Sequence, residues 1–250
     1  MVPVALTLII LVTAGVYLRG WIRNPIPAWR AASFFLGLFC TWVAAASPLA
    51  SSDERMLTGH MIQHLLLMTF APPLIWLGEP VRVTALDLPR PALVQRLGRL
   101  LAAPAFCWLA AAVALVAWHA PALFYLGMHS PTCHLVEQAT FFATGLLFWW
   151  PVIQPWPSAT RWPRWSMLLY LFLATLPCDV LSGLLVFSDR IVYPMYLSMP
   201  RHAGLSVLED QQCAGALMWT CVTVVFLLAG TILSMQLLSA RRLEEEVVSV

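Results

Sequence analysis

Long runs without charge constrain this chain more than any other feature of it. Residues 2–18, 31–49, 52–78, 104–125, 131–150, 165–187 and 206–238 each read as one predominantly apolar segment. At 1.5 Å rise per residue, such segments are long enough to cross most or all of a hydrocarbon layer of about 30 Å as helices. Only 10% of the 250 residues are charged and 60% are hydrophobic, a balance that a soluble chain of this length does not keep in solution. The expected fold class is therefore all-α: a polytopic membrane protein of seven transmembrane helices. It forms a single domain over residues 1–250, with the lipid bilayer as its first partner.

Local signals punctuate these runs. Residues 2–18 lack a basic segment before them and a small-residue cleavage site after them, which favours a retained helix over a secretory signal. Pro25, Pro27 and Pro48 bound the second run, and Ser51 with Glu54 fits a capping box opening the third, which Pro72 and Pro73 are expected to kink. The segment Glu79–Ala103, with Arg82, Arg90, Arg96 and Arg99, reads as an amphipathic helix on the bilayer surface or as a solvated loop. Ser130 and Pro131 supply an N-cap and first-turn proline, Ser206 with Glu209 a second capping box, and Arg241–Glu246 a solvated tail.

Seven alternating helices divide the arginines unevenly. Positions 19, 23, 30, 82, 90, 96, 99, 161, 164, 241 and 242 fall on one side, and only 55, 190 and 201 on the other. The positive-inside rule makes the first side cytoplasmic, so the N-terminus is expected outside and the C-terminus in the cytoplasm. A net charge of +2 points to no nucleic-acid partner. Six cysteines without a CxxC pair give neither a redox motif nor a disulfide framework, and only Cys133, beside His134, looks chemically placed.

Within this apolar chain the stretch GHMIQHLLLMTFAPPLIWLG, Gly59–Gly78, puts His60 and His64 on one helical face, with Met68 a turn deeper. Imidazole suits copper, zinc and iron and thioether suits Cu(I), so the stripe suggests a transition metal; the plainer reading is hydrogen bonding to a neighbouring helix and methionine packing. Counting from the outer helix ends places His60, His134 and Asp210 about 5–8 Å deep, and His64, His119, Gln138 and Asp179 about 12–14 Å deep. Two tiers of ligands in the outer leaflet result.

A buried ionisable group costs about 2.5–3.5 kcal/mol even on a lenient scale, so Glu137 and Asp179 are expected to face the interior and find partners. Asp179 is then a candidate orienter of an imidazole. His119, just before Pro121, is either a site residue or bonded to a carbonyl that the proline frees. Asp210, with Gln211 and Gln212, is either a ligand group or solvated; Glu209 is explained by its capping box. His129 and His202 read as exposed loop residues, and Cys178 as a space-filler.

Taken in order, GHMIQHLLLMTFAPPLIWLGEP, AWHAPALF, HLVEQATFFATGLLFWWPVI, FSDRIVYP and GLSVLEDQQCAGALMW resemble the CtaG family of bacterial cytochrome c oxidase assembly factors, over about residues 55–220. The resemblance implies a multi-pass protein of the bacterial inner (plasma) membrane that acts in copper delivery to haem-copper oxidases. It marks His60, His64, His119, His134 and the Glu209–Gln212 run. A copper ion, Cu(I) or Cu(II), is the implied cargo, and an oxidase subunit or another copper chaperone on the outer face the implied partner. One departure stands out: where the family often has a second histidine, this chain has Gln138.

The leading expectation is thus a non-enzymatic copper-binding assembly factor. A haem-binding electron carrier and a copper transporter are the alternatives. His60 and His64, sharing one helix and face, are poorly placed as a pair of axial haem ligands, which leaves His64 with His119 for that role, and the cytoplasmic helix halves offer only Met and Cys to a transport path. Zinc-dependent hydrolysis is weaker still, because Met61 stands where its signature needs glutamate.

Overall fold

The computed structural model describes residues 2–47, 56–84, 103–155, 162–199 and 204–248, with side chains as far as residue 239. The proposed Ser51–Glu54 cap, most of the Glu79–Ala103 segment, His202 and the side chains of the charged tail lie outside the described residues. Among the described residues the regular elements are all helical.

In chain order they are α1 (Val2–Arg23), α2 (Ala28–Ala45), α3 (Leu57–His64), a π-helical segment (Leu65–Phe70), α4 (Ala71–Leu77), α5 (Pro80–Thr84), α6 (Pro104–His119), α7 (Pro121–His129), α8 (Pro131–Ile153), α9 (Arg164–Phe187), a 3₁₀ turn (Pro194–Ser198) and α10 (Val207–Val248). Among the described residues five helices are long and apolar enough to cross a membrane: Pro3–Arg23, Ala28–Ala45, Leu57–Leu77, Arg164–Phe187 and Val207–Ser239. The pair α6 and α7, counted as one bent span, makes six. Although α8 has 23 residues, its mean hydropathy is lowered by His134, Glu137 and Gln138, and it is not among them.

Two departures from the expected helices shape the interior. The run expected at 104–125 is not one helix: it breaks at Ala120, and α7 leaves α6 at 75°. Pro121 is the cause, since the residue before a proline is pushed out of the α region, and Ala120 sits at φ −64°, ψ 128°. Pro72 and Pro73, expected to kink their helix, lie in a run that stays helical from Leu57 to Leu77. The turn before them widens to π geometry. Pro72 cannot bond the Met68 carbonyl, which accepts from the Trp149 indole Nε1 at 3.3 Å.

Glycines let the π segment and α4 lie close between α2 and α8. A Cβ on Gly145 would fall 2.9 Å from the Met68 backbone, and one on Gly37 only 2.8 Å from Ile75. At the end carrying most of the described arginines, Tyr17 stacks on Phe34 with centroids 3.7 Å apart and donates to the Gly78 carbonyl at 2.8 Å. Arg30 pairs there with Glu79. Along α1 the membrane-length window is only 6% buried, so this helix packs on one side alone.

Helix starts follow local rules where the chain supplies them. Ser130 accepts from the Cys133 amide at 3.4 Å with Pro131 in the first turn of α8. Ser206 and Glu209 form the reciprocal capping box of α10, at 2.7 and 3.2 Å. α3 is different. Its N-cap residue is Met56, which offers no capping side chain, and the missing acceptor comes from another helix, as described below.

Candidate metal centre

His60 and His64 project from the same face of α3 with ring centroids 4.1 Å apart, and both are buried, at 0% and 6% exposure. Glu137 of α8 meets them. Its Oε1 lies 3.5 Å from His60 Nε2 and 3.4 Å from His64 Nε2, and its own exposure is 0%. One ligand atom from each of the three residues falls within 4.8 Å of the others. The two nitrogen–oxygen separations of 3.5 and 3.4 Å suit pairs of bonds of about 2.0–2.2 Å to one ion.

The bend at Ala120 builds the roof. α7 carries Phe124 to an edge contact with His60, centroids 4.9 Å apart, and carries Gly127 over the carboxylate. A Cβ on Gly127 would stand 2.8 Å from Glu137 Oε2, closer than side chains tolerate. Phe141 closes the flank at 4.1 Å from the His64 ring.

Two further histidines surround this core with opposite states. His134 Nδ1 lies 3.3 Å from Glu137 Oε2, and its Nε2 is 2.7 Å from the Gln138 amide nitrogen. With the amide donating to Nε2, the proton sits on Nδ1 and points to the carboxylate, so both His134 nitrogens are engaged. His119 Nδ1 donates to the Leu115 carbonyl of its own helix at 2.8 Å. That bond fixes the neutral tautomer and leaves Nε2 as a bare lone pair, the arrangement that holds a metal-ligating imidazole in place. The carbonyl it uses is not one that Pro121 frees.

Polar groups buried without partners are concentrated here. His60 Nδ1 and Nε2, His64 Nδ1 and Nε2, His119 Nε2 and Glu137 Oε1 all lack a hydrogen bond. Native interiors leave few such atoms, and a buried carboxylate oxygen beside two imidazoles is costly unless a cation, or a proton shared with an imidazole, completes it. The donor set of two nitrogens and one oxygen suits a divalent or monovalent transition metal. On these grounds the residues fit a metal ion.

The remaining sequence candidates stand elsewhere and serve as scaffold. Asp210 caps α3 from across the bundle: its carboxylate accepts from the Leu57 amide at 2.7 Å, the Thr58 amide at 3.2 Å and the Thr58 hydroxyl at 2.6 Å. Gln211 accepts from the Val192 amide at 2.8 Å and donates to the Arg190 carbonyl at 3.2 Å, fastening the loop after α9. That loop places Tyr193 against Phe124, centroids 4.0 Å apart, where its hydroxyl donates to the His119 carbonyl at 2.9 Å. Asp179, expected to face the interior and orient an imidazole, is only half-buried and makes no ion pair or hydrogen bond among the described residues. Depth along a helix gives a level and not a facing direction, and α9, one continuous helix, leaves Asp179 on a partly exposed face. Gly127, Phe124 and Tyr193 carried no sequence signal beyond Pro121, whose bend brings the first two to the site.

A family model described as cytochrome c oxidase caa3 assembly factor matches residues 15–240. No curated protein and no solved structure matches the chain.

Proposed function

The chain belongs to the cytochrome c oxidase caa3 assembly factor family, and on that premise we propose that it holds a copper ion as cargo between His60, His64 and Glu137. It passes that ion to an oxidase subunit or a copper chaperone on the outer face. The observation that supports this reading best is the convergence of three fully or nearly buried ligand groups from two helices, their facing atoms within 4.8 Å and without other hydrogen-bond partners.

In this reading the protein is a multi-pass component of the bacterial plasma membrane, with α8 as a further span beside the other six. The arginine asymmetry puts its N-terminus outside and its C-terminus in the cytoplasm. The two histidines supply nitrogen, Glu137 supplies the charge that attracts the cation, and His134 steadies that carboxylate through its Nδ1–H. No reacting group is needed: the residues bind, shield and release an ion, and the role is not enzymatic.

The haem alternative is disfavoured by space. Phe141 packs against His64 at 4.1 Å and lies 6.4 Å from His119, so an aromatic side chain already occupies the space beside both rings. The test is anaerobic loading of purified protein with Cu(I), followed by metal analysis. Copper retained by the wild type and lost from the His60→Ala, His64→Ala double variant is expected, and a wild type that takes up no copper overturns the reading.

A further inference from the structure

Next to the cluster, with His64 in its wall and Glu137 not among its lining, a cavity of about 60 Å³ opens between α3, the π segment, α6, α8, α9 and α10. Its lining holds an unusual share of sulfur: Met61, Met68, Cys178 and Met218. Three of these are almost completely buried, at 1% for Met61, 3% for Cys178 and 3% for Met218. Two imidazoles complete it, His64 and His119.

His119 is 5% exposed, its Nδ1 is committed to the Leu115 carbonyl, and its Nε2 has no hydrogen-bond partner although the residue lines the cavity. A packing histidine would satisfy both nitrogens; this one is held rigid with a lone pair left over. Its ring centroid lies 6.2 Å from that of His64. Two imidazoles bound to one ion through bonds of about 2.0–2.1 Å have centroids roughly 5–6 Å apart, so the pair can share an ion without moving far. His119 does not belong to the three-residue group around Glu137, which makes this a separate position.

We propose that the protein has a second copper position, selective for Cu(I), between His64 and His119, with a sulfur of the cavity wall completing its coordination. Nitrogen and thioether or thiolate donors without a carboxylate select the soft monovalent ion, whereas the Glu137 cluster is harder. His64 Nε2 faces Glu137 Oε1 at 3.4 Å while its Nδ1 has no hydrogen-bond partner, so with both positions filled the ring bridges the two ions as an imidazolate, one nitrogen to each and its ring proton released. This inference rests on the reading of the Glu137 cluster as a copper site and adds a second station to it.

Stoichiometry and local structure test it. Detergent-purified full-length protein is loaded anaerobically with Cu(I), and metal content and copper X-ray absorption are measured for the wild type, His119→Ala and His60→Ala. Two ions per chain and a sulfur scatterer are expected in the wild type. His119→Ala should hold one ion with no sulfur scatterer, and the ion it keeps shows that it is folded. His60→Ala should keep the ion that has sulfur. A wild type with one ion, lost in His60→Ala and unchanged in His119→Ala, overturns the second position and leaves the Glu137 site standing. Two ions with no sulfur scatterer, or two ions retained by His119→Ala, overturns it as well. A wild type without copper overturns both readings.

Discussion

Asp210 caps a helix that is 152 residues away from it in sequence, its carboxylate receiving both the Leu57 and Thr58 amides at the start of α3. This contact fixes the end of the helix from which His60 projects three residues later. Replacing Asp210 by alanine leaves buried amides unsatisfied, at a cost of about 1–3 kcal/mol. Thermal unfolding in detergent is expected to show that loss, with copper stoichiometry at low temperature kept. A variant of unchanged stability that no longer holds copper would show instead that Asp210 is a ligand.

Gly127 is needed for space, not for backbone freedom. In a helix interior, glycine to alanine ordinarily stabilises by roughly 0.5–1 kcal/mol. Here the added Cβ meets Glu137 Oε2 at 2.8 Å, and the carboxylate has to move. Gly127→Ala is expected to weaken copper binding at least tenfold, whereas Gly183→Ala, where nothing lies within 4 Å, leaves affinity unchanged. Equal affinities in a competitive chelator titration would refute the steric role.

His134 and His60 are both sequence candidates, and the geometry separates them. With both nitrogens of His134 engaged, its loss removes support from Glu137 and no ligand. His134→Ala is expected to cost about 10–100-fold in copper affinity, the usual scale for such partners, while His60→Ala abolishes the Glu137 site. Equal losses in the two variants would make His134 a ligand.

Tyr193 ties the loop after α9 to the end of α6 through the His119 carbonyl. Tyr193→Phe keeps the ring against Phe124 and removes one buried hydrogen bond, worth about 1 kcal/mol. A lower unfolding midpoint with unchanged copper content is expected. If the midpoint does not move, the hydroxyl is not holding the loop.

What could be read from the sequence was what depends on near neighbours in the chain. His60 and His64 share a face because they are four residues apart; the Ser130–Pro131 start and the Ser206–Glu209 box are written within four residues each. The burial of Glu137 follows from the cost of exposing a carboxylate to lipid. Contacts between distant elements were not legible. The Asp210 cap, the fastening of the loop by Gln211 and the roof over Glu137 all depend on how α6 bends and where α10 starts. Counting depth along α9 put Asp179 level with the histidines but carried no information about which way its side chain faces. Gln138 was legible as a departure from the family pattern, yet its consequence, a hydrogen bond to His134 Nε2, needed the geometry.

The π segment Leu65–Phe70 lies between two halves of one helix that serve different neighbours. Above it the register is set by the imidazoles and Glu137; below it, by the close fit of Ala71 and Ile75 against Gly37. A regular α-helix transmits any rotation rigidly, at about 100° per residue. Here the wide turn absorbs the mismatch, so the two halves could change sequence independently as long as its length is kept. Removing one residue, such as the half-buried Leu66, should turn the histidines away from Glu137 and abolish copper binding while the lower half stays packed, a result that proteolytic mapping beside metal analysis can establish.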